Sequence, residues 1–211
     1  MLQRLISLVF ITAAAALLGS CGHSGLAVLP KSKIQGIHAG QGIPAPSQQL
    51  VSSAARKPRD KHSMPVYTFS ERHRMVRTTA YTCSEDDHLI YGSKNATGTP
   101  LRYTNRVRSA AADWSFYPVG TTFRIKGLPY LYVIDDYGSA LTGTGTVDLY
   151  KPNKDVMNLW GRRNVELTIV QWGSFTRSAE ILQQRTKHAH CAQMLANIVR
   201  QRPDLGRIAM R

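Results

Sequence analysis

The stretch that most narrows the folds open to this chain runs from Val133 to Tyr150. It holds two short β-branched runs, Val133-Ile134 and Thr146-Val147, each followed by acid. Such residues suit a pleated, half-buried strand. Between them lie Gly138, Gly143 and Gly145, which let the backbone turn sharply or approach another group closely. Asp135 and Asp136 end the first run and Asp148 sits in the second. Upstream, Ala111-Ala112-Asp113 supplies a further acid before the turn Pro118-Val119-Gly120-Thr121. Carboxylates gathered round one cleft by strand ends are the natural centre of an acid-driven reaction.

The same texture extends over about a hundred residues. Strands are predicted near 75–82, 102–103, 106–112, 121–127, 131–134, 146–149 and 165–170. A short helix is predicted over 154–160, stopped by Gly161. Short, closely spaced strands with glycine turns and one brief helix point to a compact β-barrel. Beyond it, 178–200 has helical spacing. Cys191, Met194, Leu195, Ile198 and Val199 fall on one face, and Pro203 ends the run. That helix packs on the barrel or docks another protein.

The N-terminus sets the compartment. Met1-Leu2-Gln3-Arg4 is a short positive start, and Leu5 to Leu18 is nearly all apolar. This is a secretory leader, too short for a comfortable membrane span. Leu18-Gly19-Ser20-Cys21 resembles a bacterial lipobox, so residues 1–21 read as a lipoprotein signal with Cys21 as the lipidated residue. The formal net charge of +14 favours anionic partners. Export removes nucleic acid from that set, and acyl chains rather than charge would hold the chain to the membrane. Residues 22–73, rich in Gly, Ser, Pro and Lys, read as a flexible linker. Of the remaining cysteines, Cys83 and Cys191 form one disulfide or stay free. Glu85-Asp86-Asp87-His88 reads as a solvated acidic loop rather than a metal site. No metal-ligand spacing, phosphate loop or nucleophile triad stands out, and no cofactor is expected.

Thr79-Ala80-Tyr81, Ala96-Thr97-Gly98, Ala111-Ala112-Asp113 with Pro118-Val119-Gly120-Thr121, Asp136-Tyr137-Gly138-Ser139-Ala140, Val147-Asp148-Leu149-Tyr150 and Trp160-Gly161 occur in that order. In this they resemble the three-aspartate (3D) domain. That domain is similar to the C-terminal part of membrane-bound lytic transglycosylase A and to stationary-phase muralytic proteins. The resemblance spans roughly residues 75–173. It implies an all-β fold, a six-stranded double-psi β-barrel with a short helix over residues 74–175. Residues 176–211 form the helical tail.

The resemblance also implies a groove that binds peptidoglycan glycan strands. Such enzymes cleave between N-acetylmuramic acid and N-acetylglucosamine without water, leaving a 1,6-anhydro end. A carboxylic acid protonates the leaving oxygen, and the resulting carboxylate takes the proton of the attacking 6-hydroxyl. One carboxyl can serve, because the nucleophile is intramolecular. Asp148 matches that acid. Asp136 matches a neighbour that raises its pKa and holds it by hydrogen bond, and Asp113 one in a supporting or structural role. Successive strand residues face opposite ways, so Asp135 becomes a solvated edge residue. Tyr81, Thr97 and Gly138 are candidate groove residues. Lys94 joins them because some muralytic relatives place a lysine near this motif, although here Ala96 directly precedes Thr97. Trp160 reads as core. The rival function is a wall-binding lipoprotein of the same fold without turnover.

Overall fold

The computed structural model describes residues 43–83 and 92–209. The leader, Cys21 and the acidic loop around His88 lie outside them. Six strands form the body: β1 His73–Tyr81, β2 Val107–Ala112, β3 Thr122–Ile125, β4 Leu131–Asp136, β5 Val147–Tyr150 and β6 Arg163–Gln171. They pair in the order β1-β5-β2-β4-β3-β6, and β6 pairs back onto β1, so the mixed sheet closes on itself. β1 with β5 and β2 with β4 are parallel, and the other pairs are antiparallel.

Alternation fills the interior. Val76, Ala110, Ala112, Phe123, Ile125, Tyr132, Ile134, Val147, Leu149, Val165, Leu167 and Ile169 are all buried in one cluster. The pair predicted near Arg102 and Tyr103 shrinks to an isolated bridge between Tyr103 and Arg108.

The helices are α1 Gln48–Ala55, α2 Lys154–Trp160, α3 Phe175–Gln183 and α4 Ala189–Gln201, with 3-10 turns at Ser139–Leu141 and Pro203–Leu205 and a final turn at Gly206–Ala209. α2 matches its expected bounds. The Asn153 side chain accepts from the Val156 N–H at its start, and Gly161 adopts φ 60° at its end. Trp160 is core, as expected.

The single C-terminal helix expected over 178–200 is instead two helices, broken at 184–188. Their buried faces, including Leu182, Cys191, Met194, Leu195 and Ile198, join the barrel's own cluster, which supports the packing alternative. Val199 is only half-buried. Gly173 launches them from β6. A Cβ there would stand 2.2 Å from the Val119 carbonyl oxygen, and the Val119 N–H donates to Ser178 Oγ at 2.9 Å. Cys191 is a buried free thiol, so no Cys83–Cys191 disulfide forms.

The linker expected to reach residue 73 is also corrected. Leu50, Ala54 and Met64 are buried, and the Ser47 N–H donates to Glu166 Oε2 at 2.9 Å. Burial pushes the Glu166 carboxyl up. That effect is outweighed by the bonds from Ser47, Lys126 and His73, which hold it down at about 2. Asp60 then receives the Gly145 N–H at 2.9 Å, and Lys61 donates to the Thr142 carbonyl at 2.8 Å. The segment is strapped to the loop ahead of β5. Three scattered apolar anchors inside a polar stretch leave no periodicity to read.

One end of the interior is charged. Arg108 lies against the Tyr130 and Tyr103 rings. Lys151 is fully buried with Nζ 4.3 Å from the centre of the Trp160 ring and no hydrogen-bond partner among the described residues. Burial, then the charges of Arg108 and Arg163, push Lys151 down to about 7 from 10.5. Its charge is thus a cost of folding below about pH 7, and stability rises as pH climbs from 7 towards 10.5. Lys151→Met is expected to raise stability by about 2 kcal/mol at pH 6, since apolar replacement of a buried charge is often stabilising. The gain should fade as pH approaches 10.5. Denaturant melts at several pH values check both the size and the slope.

Candidate active site

The site is laid out by strand register. Across β1, β5, β2 and β4, the residues Thr79, Asp148, Ala111 and Asp136 stand side by side. Ala111 lies between the two acids, and its methyl leaves the floor open above it. Two strand spacings put the acids' backbones about 10 Å apart.

A β-bulge makes this possible. Ala110 pairs with Ile134, but Ala111 pairs with Asp136, so Asp135 is the extra residue. The bulge breaks the alternation that was expected to send Asp135 to solvent. Asp135 is buried instead, with Ser109 Oγ donating to it at 2.8 Å. Burial raises it to about 6, with the bond from Ser109 opposing and the charge of Asp136 adding.

Asp136 is buried and accepts from Tyr81 Oη at 3.1 Å, the Ala96 N–H at 3.1 Å and its own neighbour's Tyr137 N–H at 3.0 Å. Asp148 is half-buried, and Thr79 Oγ1 donates to it at 2.6 Å. Among the described residues, then, the hydroxyl that holds Asp148 belongs to Thr79, whereas Asp136 was expected to hold it. Tyr81 sits against Asp136. It lines the cleft but is 5 % exposed, and its hydroxyl serves Asp136 rather than an open face. Burial and the charges of Asp136, Asp135 and Asp148 hold the Tyr81 phenol protonated, so it stays a donor.

These residues floor a cleft of about 1180 Å³. That exceeds the roughly 300–1,000 Å³ usual for a drug-sized ligand, so it suits a polymer better. Gly138, Lys94, Asp136 and Asp148 line it as expected. Gly138 lies in extended backbone, φ −147°, and Lys94 is exposed.

Two expected residues do not line it. Thr97 donates to Asn95 Oδ1 at 2.7 Å inside its own turn. Asp113 is fully buried below the floor. It accepts from the Ser115 N–H at 2.7 Å, Ser115 Oγ at 2.6 Å and the Gly143 N–H at 2.6 Å. Burial raises Asp113 against those bonds. It ties the loop before β5 in place and does not face the cleft.

The opposite wall was not foreseen. The break between α3 and α4 brings Arg185, Lys187, His188 and His190 to the cleft, and Arg185 donates to Tyr137 Oη at 3.0 Å. His62, on the N-terminal strap, lines it as well. The floor is therefore acidic and the rim basic. In the sequence the break shows as a polar, charged gap between 183 and 189, but that gap does not say what it faces.

The 3D domain model matches residues 108–171. That span runs from β2 to the end of β6 and contains Asp113, Asp136 and Asp148, the acids identified from the motif order. β1, which carries Thr79 and Tyr81, lies ahead of it. No curated protein matches the chain.

Proposed function

We propose that this chain is a peptidoglycan lytic transglycosylase built on a double-psi β-barrel and held at the cell envelope by a lipid on Cys21. The observation that carries the reading is the placement of Asp148 and Asp136 on either side of Ala111 in a polymer-sized cleft. The match of this stretch to the 3D domain supports the substrate class.

In this reading Asp148 gives its proton to the bridging oxygen as the bond from C1 of N-acetylmuramic acid breaks. The 6-hydroxyl of the same sugar closes on C1, and its proton goes to the Asp148 carboxylate. The acid is restored and the product carries a 1,6-anhydro ring. Thr79 fixes the carboxyl's rotamer. Asp136, held by Tyr81 and two backbone N–H groups, keeps a carboxylate aimed where positive charge develops on the sugar ring. The basic rim draws an anionic polymer along the floor.

Mass spectrometry of sacculi digested with the purified chain tests this. Anhydro ends are expected among the products. Reducing ends would make it a hydrolase. Tight sacculus binding with no soluble product would favour the wall-binding lipoprotein, the reading that the basic rim serves without chemistry.

A further inference from the structure

A second pocket of about 470 Å³ opens beside the aspartate cleft and shares His62 and Arg77 with it. Its other lining residues are Met64, Arg162, Arg163 and Asn164, so among the described residues it holds three guanidiniums and no acid. Arg77 lies two residues before Thr79 on β1, on the same strand face. That puts it about 7 Å along the strand from the hydroxyl that holds Asp148. Arg77 Nε is buried with no hydrogen-bond partner among the described residues. Arg163 is already fixed, donating to the Trp160 and Leu159 carbonyls at the end of α2, so its position is set before anything binds. Arg162 is exposed at the pocket edge. A buried N–H without an acceptor is costly, and an arginine fork matches a carboxylate with two parallel bonds.

We propose that this pocket binds a carboxylate of the stem peptide carried by the muramic acid beside the cleavage point. The inference rests on the glycan-cleaving reading above. It makes the substrate a peptide-bearing strand rather than a bare glycan, with the sugar over the acids and the peptide's negative end among the arginines.

The test compares three strands of equal length: peptide-bearing, amidase-denuded, and peptide-bearing with its carboxylates amidated. Each is offered to the wild-type chain and to Arg77→Gln and Arg162→Gln, with binding measured by co-sedimentation and turnover by anhydro-end release. The wild type is expected to favour the charged peptide-bearing strand about tenfold over both others, mainly through KM. Each variant should bring that ratio close to one. Arg162 is exposed, so its variant remains informative if Arg77→Gln folds poorly. Equal handling of the three strands by the wild type, or a ratio that neither variant moves, would overturn the proposal. Failure to bind any strand would instead overturn the wall-glycan reading and this inference with it.

Discussion

Asp148→Asn is expected to lower anhydro-end release from sacculi by about 10³-fold, within the usual range for a lost general acid. Sacculus binding should stay within a few-fold of wild type. The substitution is clean because of the local geometry. Asp148 is half-buried, and the amide oxygen of Asn can still accept from Thr79 Oγ1. The transferable proton is lost while this bond is kept. Asp136→Asn is a poorer test, since Asp136 is buried and receives N–H donors from Ala96 and Tyr137 as well as the Tyr81 hydroxyl. An amide NH₂ would meet one of those donors head-on, so lost activity there would mix chemistry with misplacement of the floor. A residual Asp148→Asn rate within tenfold of wild type would remove Asp148 from the role of proton donor.

What the residues disclosed in advance depended on how local their physics was. The strands and α2 were legible because alternation, glycine turns and the Asn153 to Gly161 bracket act within a few residues. Asp148 and Asp136 were legible because both fall in the ordered motifs, although β2 separates the strands that carry them. Asp135 was misjudged because a bulge is decided by the partner strand, and nothing in Ile134-Asp135-Asp136 alone marks the slip opposite Ala110 and Ala111. Thr97 was misjudged because a threonine in a tight turn can satisfy its hydroxyl locally, here on Asn95. The basic wall was invisible for a different reason. Arg185, Lys187, His188 and His190 reach the cleft only because α3 and α4 fold back onto the barrel, a tertiary event that leaves no spacing signature. The strap at 43–72 likewise binds through Asp60, Lys61 and Ser47, polar contacts that look like solvated linker until their partners are known.

Asp113 separates a site acid from a scaffold acid, and its variant should show it in stability. Asp113→Ala is expected to destabilise the chain by about 3 kcal/mol at mildly acid pH, the cost of stranding buried donors on Ser115 and freeing the Gly143 loop. For a chain of this size that is a fall in Tm of roughly 10 °C. The pH dependence carries the sign. Burial lifts the folded Asp113 above its ordinary 3.8, so the folded state prefers the proton. Its contribution is fully present below 3.8 and diminishes as pH rises through the raised value. The penalty of Asp113→Ala should therefore shrink between acid and neutral pH. Turnover per folded molecule should drop far less than for Asp148→Asn, because Asp113 acts only by holding the loop that carries the chain into β5. A melting curve unchanged by Asp113→Ala, together with a rate loss matching that of Asp148→Asn, would instead make all three acids part of the chemistry.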